Sequence, residues 1–201
     1  VELPGIKRSA ELGDVITLKG QRFDEQMKLY ILNRHLHGRE DEPMQEVILE
    51  QEPESTDKEI RVEISDDSTK WSAGLYTIHA ALSLKEDRKL TTNELPLSLA
   101  PTILDIQPNS AKKGNVELTL TVKPDVRPKQ EVYLLFGSDQ IALDKEKTET
   151  KKPNELVFSF DAEKTGDYVI RLRIDGVDSI PIDQKAKPAK FDDTQKVNIH
   201  D

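Results

Sequence analysis

The chain has 201 residues, 35% of them hydrophobic and 33% charged, with a net charge of −9; that is enough for one or two domains of about 100 residues. It contains no cysteine, which excludes disulfide scaffolds, thiolate metal sites, iron–sulfur clusters and cysteine nucleophiles, and leaves packing alone to hold a core. The acidic balance argues against a nucleic-acid partner, whose phosphates need a basic footprint, and no apolar run approaches the ~18 residues of a membrane-spanning helix.

Along the chain, period-2 alternation dominates. After Pro4, the run Gly13-Asp-Val-Ile-Thr-Leu18 sets Val15, Thr17 and Lys19 against Ile16, Leu18 and Gly20. Alternation of this kind predicts a strand with one face in a core and one in water. From Glu40 to Asp67 there are 12 acids and two bases, Lys58 and Arg61. This stretch reads as a solvated edge and loop region that discourages strand pairing, with docking to a basic partner or a cation as the alternative. Within it Ile60, Val62 and Ile64 alternate with Glu59, Arg61 and Glu63, a second strand. Trp71 reads as a packing residue at a sandwich end, just before the apolar run Ala73–Leu84.

At Ala100-Pro101 one unit ends and another begins with almost no free linker, so a semi-rigid tandem is expected. Beyond Pro108, Val116, Leu118 and Leu120 alternate with Glu117, Thr119 and Thr121. Asp161-Ala-Glu-Lys164 has the composition for one helical turn; no amphipathic helix of 10 or more residues is evident. Leu172 and Ile174 alternate with Arg171, Arg173 and Asp175, and Asp175-Gly176 then signals a two-residue hairpin, because both positions tolerate positive φ.

The two halves repeat weakly. Gly13–Leu18 resembles Gly114–Leu120, and Ala73-Gly-Leu-Tyr-Thr-Ile78 resembles Thr165-Gly-Asp-Tyr-Val-Ile170. The expected fold class is all-β: two tandem immunoglobulin-like β-sandwiches, residues 1–100 and 101–201. Tyr76 and Tyr168 fit the corner tyrosine of such sandwiches, which turns its hydroxyl back onto nearby backbone at the start of the sixth strand.

Chemistry-bearing motifs are scarce. The nine glycines form no phosphate-binding or nucleophile-elbow pattern. His35 and His37 share one face of a strand but need a third ligand to hold a metal. His200, next to the last residue, is expected to fray. The acid pairs Asp66-Asp67 and Asp192-Asp193 lie far in sequence from the joint where calcium would bridge tandem sandwiches. No catalytic, cofactor-binding or metal-binding residue is assigned, and no cofactor is expected. Sugar binding wants exposed aromatic platforms, and aromatics are only 5% of the chain.

The run Gly13–Gly20 followed by Phe23, then Ala73–Ile78, then Thr92-Asn-Glu-Leu-Pro-Leu97, resembles the IPT/TIG-type immunoglobulin-like domain. A second resemblance covers nearly the whole chain. Val1–Ile6, Thr92–Pro101, Val126-Arg-Pro-Lys-Gln130, Tyr168–Ser179 and Phe191–Val197 resemble the C-terminal region of tail-terminator, or cap, proteins of phage-tail-like contractile injection systems. The resemblance implies a non-enzymatic structural or adaptor module from which an N-terminal capping domain is missing, in keeping with Val1 in place of an initiator Met. It implies a hexameric parent that meets sheath and tube proteins through that missing domain, assembled in the bacterial cytoplasm and carried on the injection particle. It assigns no partner to the sandwiches themselves. The alternative is a free-standing glycan- or surface-binding sandwich pair, which a strip of exposed Trp, Tyr or Phe on one sheet face would favour.

Overall fold

The computed structural model describes residues 1–5, 7–33, 46–84, 88–183 and 186–201. The chain divides into two compact units, Val1–Asp66 with Gly74–Leu99, and Asp67–Ala73 with Ala100–Asp201. The short segment 67–73 therefore belongs with the second unit, although first-unit chain lies on both sides of it.

The first unit contributes β1 (Val15–Lys19), β2 (Lys28–Asn33), β3 (Glu46–Leu49), β4 (Glu59–Glu63), β5 (Gly74–Ser83), β6 (Lys89–Thr91) and β7 (Leu95–Leu99). β1 and β4 form one antiparallel ladder; β3, β2, β5 and β6 form the other sheet in that order, with β7 also on β5. Alternate residues point inward from both sheets: Ile16 and Leu18, Ile60 and Val62, Leu29 and Ile31, Tyr76, Ile78 and Ala80, Leu97 and Leu99 are all buried. Gly20 is bare because the Phe23 ring occupies its side-chain space; a Cβ there would stand 2.4 Å from the ring tip.

The second unit contributes β8 (Thr102–Gln107), β9 (Ser110–Lys112), β10 (Gly114–Lys123), β11 (Val132–Phe136), β12 (Asp139–Ala142), the helical turn α1 (Lys145–Thr148), β13 (Glu155–Ala162), β14 (Gly166–Ile174), β15 (Val177–Asp178), β16 (Ile182–Asp183), β17 (Lys190–Phe191) and β18 (Lys196–His200). One sheet runs β13-β10-β8, the other β12-β11-β14-β18-β9. Their inner faces share one core that includes Leu118, Leu120, Leu134, Phe136, Phe158, Ile170, Leu172 and Ile199.

The topology is immunoglobulin-like. The second and fifth strands of the plan, β10 and β13, pair in one sheet, while the third, sixth and seventh, β11, β14 and β18, lie together in the other. The first strand changes sheets: β8 pairs antiparallel with β10, and past Pro108 β9 runs parallel to β18. The first unit repeats the exchange in miniature, with Glu2 bridging Thr17 antiparallel and Ala10 bridging Leu99 in parallel. Both units are immunoglobulin-like β-sandwiches.

Two local expectations are corrected. Asp161-Ala-Glu-Lys164 forms no helical turn, because Asp161 and Ala162 complete the ladder with Asn115 and Gly114; cross-strand pairing outweighs a local preference for a turn of helix. The helical turn lies earlier, at α1, where the Asp144 side chain accepts from the Lys147 amide. There it stands in for a fourth strand beside β13: the Asp144 amide donates to the Val157 carbonyl at 2.9 Å, and the Val157 amide to the Thr148 hydroxyl at 3.0 Å. His200 does not fray, since it pairs with Lys112 and its carbonyl accepts from the Lys113 amide at 2.8 Å.

Candidate functional site

The densest buried polar cluster described lies in the second unit, around the turn from β14 to β15. Asp175 and Gly176 take φ of +47° and +83°, and pairing of Ile174 with Val177 closes a two-residue hairpin on them. Asp175 does more than turn the chain. It is 5% exposed, and its carboxylate accepts from the Glu131 amide at 2.9 Å and from Gln130 Nε2 at 2.8 Å. Gln130 Nε2 also donates to the Ala73 carbonyl at 2.8 Å, and Gln130 Oε1 accepts from the Arg127 amide at 2.9 Å. Nearby, the Arg127 guanidinium donates to the Thr69 carbonyl and the Asp125 amide to the Ser68 carbonyl. The loop 124–131 and the hairpin thus clasp segment 67–73, which carries the buried Trp71. Most of these bonds satisfy groups that burial would otherwise penalise, with the buried Arg127 Nε left over, and the cluster works as a structural clasp.

Sequence reading found Asp175 and Gly176 by their turn chemistry but missed the roles of Arg127 and Gln130. Those two stand inside the motif Val126–Gln130, and no local pattern announces a partner 57 positions away.

The two tyrosines occupy equivalent places and different surroundings. Tyr168 is half-buried; its hydroxyl donates to the Lys164 carbonyl at 3.0 Å, and its ring stacks on Phe136 with centroids 4.1 Å apart. Tyr76 is 2% exposed, on the inner face of β5 beside Asn33 and Leu97.

One acid of each pair serves as a local cap. Asp67 accepts from the Thr69 amide and hydroxyl, and Asp192 does the same for Thr194. Asp193 lies between Lys190 and Lys196. Among the described residues no three His, Cys, Asp or Glu gather as metal ligands; His35 and His37 lie outside the described residues, as does part of the acidic stretch that begins at Glu40. In the first unit, Lys7 bridges Glu11 and Asp14, each at 2.7 Å. Burial works against the Lys7 charge, but the bonds to Asp14 and Glu11 outweigh it and push the ammonium pKa up. Close by, an open depression is lined by Glu2, Asp14, Glu59 and Arg61 among others, with Lys19 reaching Glu2 at 2.7 Å and Glu59 at 3.8 Å.

The ten aromatic rings form no exposed platform. Tyr30, Trp71, Tyr76, Phe136 and Phe158 are buried, Phe23, Tyr133, Phe160 and Tyr168 are half-buried, and Phe191 alone is exposed, at 56%. Tyr30 lies flat against His79, centroids 5.3 Å apart, with the Lys89 ammonium 4.9 Å from the Tyr30 ring centre.

Residues 101–198 match a family described as a domain of unknown function (DUF8756). No curated protein matches the sequence. Among solved structures, the chain is similar to the fibronectin(III)-like modules of Clostridium thermocellum CbhA, at 14% identity and TM-score 0.28, covering 98% of this chain and 92% of that one. It is similar to the D00-D0 domain of Intimin, at 12% identity and TM-score 0.28, covering 99% and 98%. It is also similar to the surface glycan-binding protein PbSGBP-B from Prevotella bryantii, at 12% identity and TM-score 0.33, covering 89% of this chain and 39% of that one. None of these comparisons indicates a catalytic family.

Proposed function

We propose that residues 1–201 form a non-enzymatic structural or adaptor module, the C-terminal immunoglobulin-like part of a tail-terminator protein of a contractile injection system. The observation that carries the reading is the run of matching motifs from Val1–Ile6 to Phe191–Val197. In this reading a preceding capping domain gathers six copies and meets sheath and tube, and the sandwiches are displayed from the particle after assembly in the bacterial cytoplasm. Six-fold display makes weak contacts effective, because each further contact is made at high local concentration.

The chemistry of the two units supports a role without catalysis. In the buried clasp of the second unit, Asp175 and Gln130 spend their bonds on one another and on backbone. A reactive centre needs titratable groups converging on a cavity; the depression in the first unit is open, and two of its acids, Glu2 and Glu59, are paired with Lys19. The glycan-binding alternative needs flat exposed rings beside hydrogen-bonding groups, and Phe191 is the single exposed ring.

The test is a pull-down from native host lysate with the full-length parent, read by mass spectrometry, and repeated with a parent lacking residues 1–201. Recovery of sheath and tube proteins by both is expected, with any protein lost from the truncated bait belonging to the sandwiches. Recovery of neither sheath nor tube, together with a specific glycan-array signal for residues 1–201, overturns the proposal in favour of the glycan reading.

A further inference from the structure

Sheet edges in this chain are finished in different ways. The outer edge of β13 is closed by Asp144 and Thr148. The outer edge of β4 is closed by the Glu52 amide on the Arg61 carbonyl at 2.7 Å and by the Arg61 amide on the Ser55 hydroxyl at 3.0 Å. β3 ends the order β3-β2-β5-β6, and among the described residues nothing pairs with its other side.

The sequence of β3, Glu-Val-Ile-Leu, is apolar and β-favouring, without the lysine, proline or bulge that usually blunts an edge. Ile48 is 49% exposed on the outer face. Val47 and Leu49 pair with the buried Ile31 and Leu29, and so face the core, yet are only half-buried. Among the described residues the inner face is only partly covered at this end. The charged residues of the strand and its far end are acidic: Glu46 opens β3 and Glu50 follows it. Glu50, one residue beyond the strand, keeps 73% of its side chain exposed even while it bridges Lys28 at 2.7 Å.

We propose that the outer edge of β3 is a strand-addition site for an extended segment of another protein in which apolar residues alternate with Lys or Arg. The added strand takes main-chain hydrogen bonds from the β3 edge. One set of its side chains extends the inner face over Val47 and Leu49, the other lies beside Ile48, and its basic residues meet Glu46 and Glu50. A second copy of β3 is the poorer occupant, because each copy brings its own Glu46 and Glu50 and a net charge of −9 to the joint. The site goes beyond the function proposed above and is independent of which particle carries the chain.

The probe is a fluorescein-labelled octapeptide of alternating Lys and Val, titrated with the whole 201-residue chain at low ionic strength and read by anisotropy. The controls are the same peptide with alternate backbone nitrogens methylated, a Glu–Val octapeptide, the variant Ile48→Lys, and a variant in the other unit that makes the larger change of charge, Glu117→Lys. The Lys–Val peptide is expected to bind. Ile48→Lys and backbone methylation should each weaken it at least about tenfold, and Glu117→Lys less than about twofold. Equal losses in the two variants, or indifference to methylation, overturn the proposal by assigning the binding to diffuse charge. No binding of the Lys–Val peptide also overturns it. A dimer of the free chain that Ile48→Lys dissolves gives the edge to a second copy and overturns the choice of occupant. The methylated peptide needs no variant to fold, so the proposal stays testable even if Ile48→Lys is unstable.

Discussion

The two units share one backbone plan and fasten it differently. Gly13 (φ +86°) and Gly114 (φ +109°) stand just before or at the start of the second strand of each plan, and Gly74 and Gly166, both at φ +143°, open the sixth. Two residues after each of that last pair comes a tyrosine, Tyr76 and Tyr168. The shared points are those where the backbone needs an unusual angle, which few side chains tolerate. The fastenings differ. β10 has 10 residues against 5 for β1, and the second unit alone shows the buried Asp175–Gln130 clasp. Positions set by backbone geometry recur between the units, whereas positions that work through tertiary contacts are particular to each.

Core truncation is the strongest way to test how separately the units stand. Phe158 is fully buried opposite Leu118, and Ile60 is fully buried opposite Leu18, both on inner faces of the corresponding ladder. Phe158→Ala is expected to cost about 3–5 kcal/mol and Ile60→Ala about 2–5. Trp71 is the sole tryptophan and belongs to the second unit, so its emission during denaturation should report the loss in Phe158→Ala. If Ile60→Ala moves the Trp71 midpoint just as far, the units do not stand apart energetically.

The clasp is next in size. Asp175→Ala frees the Glu131 amide and one bond of Gln130 in a buried place and gives up a residue type that tolerates positive φ, at about 1–3 kcal/mol. Gln130→Ala should cost a similar amount by freeing the Ala73 carbonyl. Because both residues serve one network, the double variant should cost less than the sum of the singles, by about 0.5 kcal/mol or more. Strict additivity in chemical denaturation would show that the two act separately.

What was legible in the sequence follows from these distinctions. Strands were legible because Ile16/Leu18 or Leu118/Leu120 must alternate with polar neighbours wherever a sheet has one wet face. Asp175-Gly176 was legible because a two-residue hairpin constrains φ locally. Segment 67–73 was not legible as part of the second unit, since Ser68, Thr69 and Ala73 meet it through their backbone carbonyls, which every residue has. The helical turn was misplaced for a related reason: Asp144 caps it only in company with Ser159 and Val157, both supplied by β13.

The tyrosines sharpen the comparison at a smaller scale. Tyr168→Phe gives up the bond to the Lys164 carbonyl at a place water can reach, for about 0.5–1.5 kcal/mol. Tyr76 is 2% exposed, and removing a polar group from a buried place costs more than from one that water can reach, so Tyr76→Phe should cost more. Equal or reversed losses in urea denaturation would show that burial does not set the order.

The smallest expected effect is a difference in acid sensitivity. Among the described residues, the carboxylates held below their ordinary range are Asp67, Asp144, Asp192 and Asp193, all in the second unit. Hydrogen bonds from Thr69 lower Asp67 and one from Ser159 lowers Asp144. Burial works against the charge of Asp192, but the Thr194 bonds outweigh it; Lys196 and then Lys190 lower Asp193. Carboxylates whose folded pKa lies below the unfolded 3.8 stabilise fully above that value, and the contribution is lost as pH falls through the folded values. The first unit holds Lys7, Lys19 and Lys28 with raised pKa, a contribution present below 10.5 and lost as pH rises through the raised values. The second unit has its own raised Lys147 and Lys196, so alkali touches both units while acid separates them. Going from about pH 5 to about pH 3, the Trp71 midpoint should fall, modestly because these groups are mostly exposed. Salt should shrink the share carried by the ion-paired Asp193 more than the share carried by the hydroxyl-bonded Asp144. A fall seen in far-UV ellipticity but absent from Trp71 emission would move the acid-sensitive groups to the first unit and break the comparison at its weakest point.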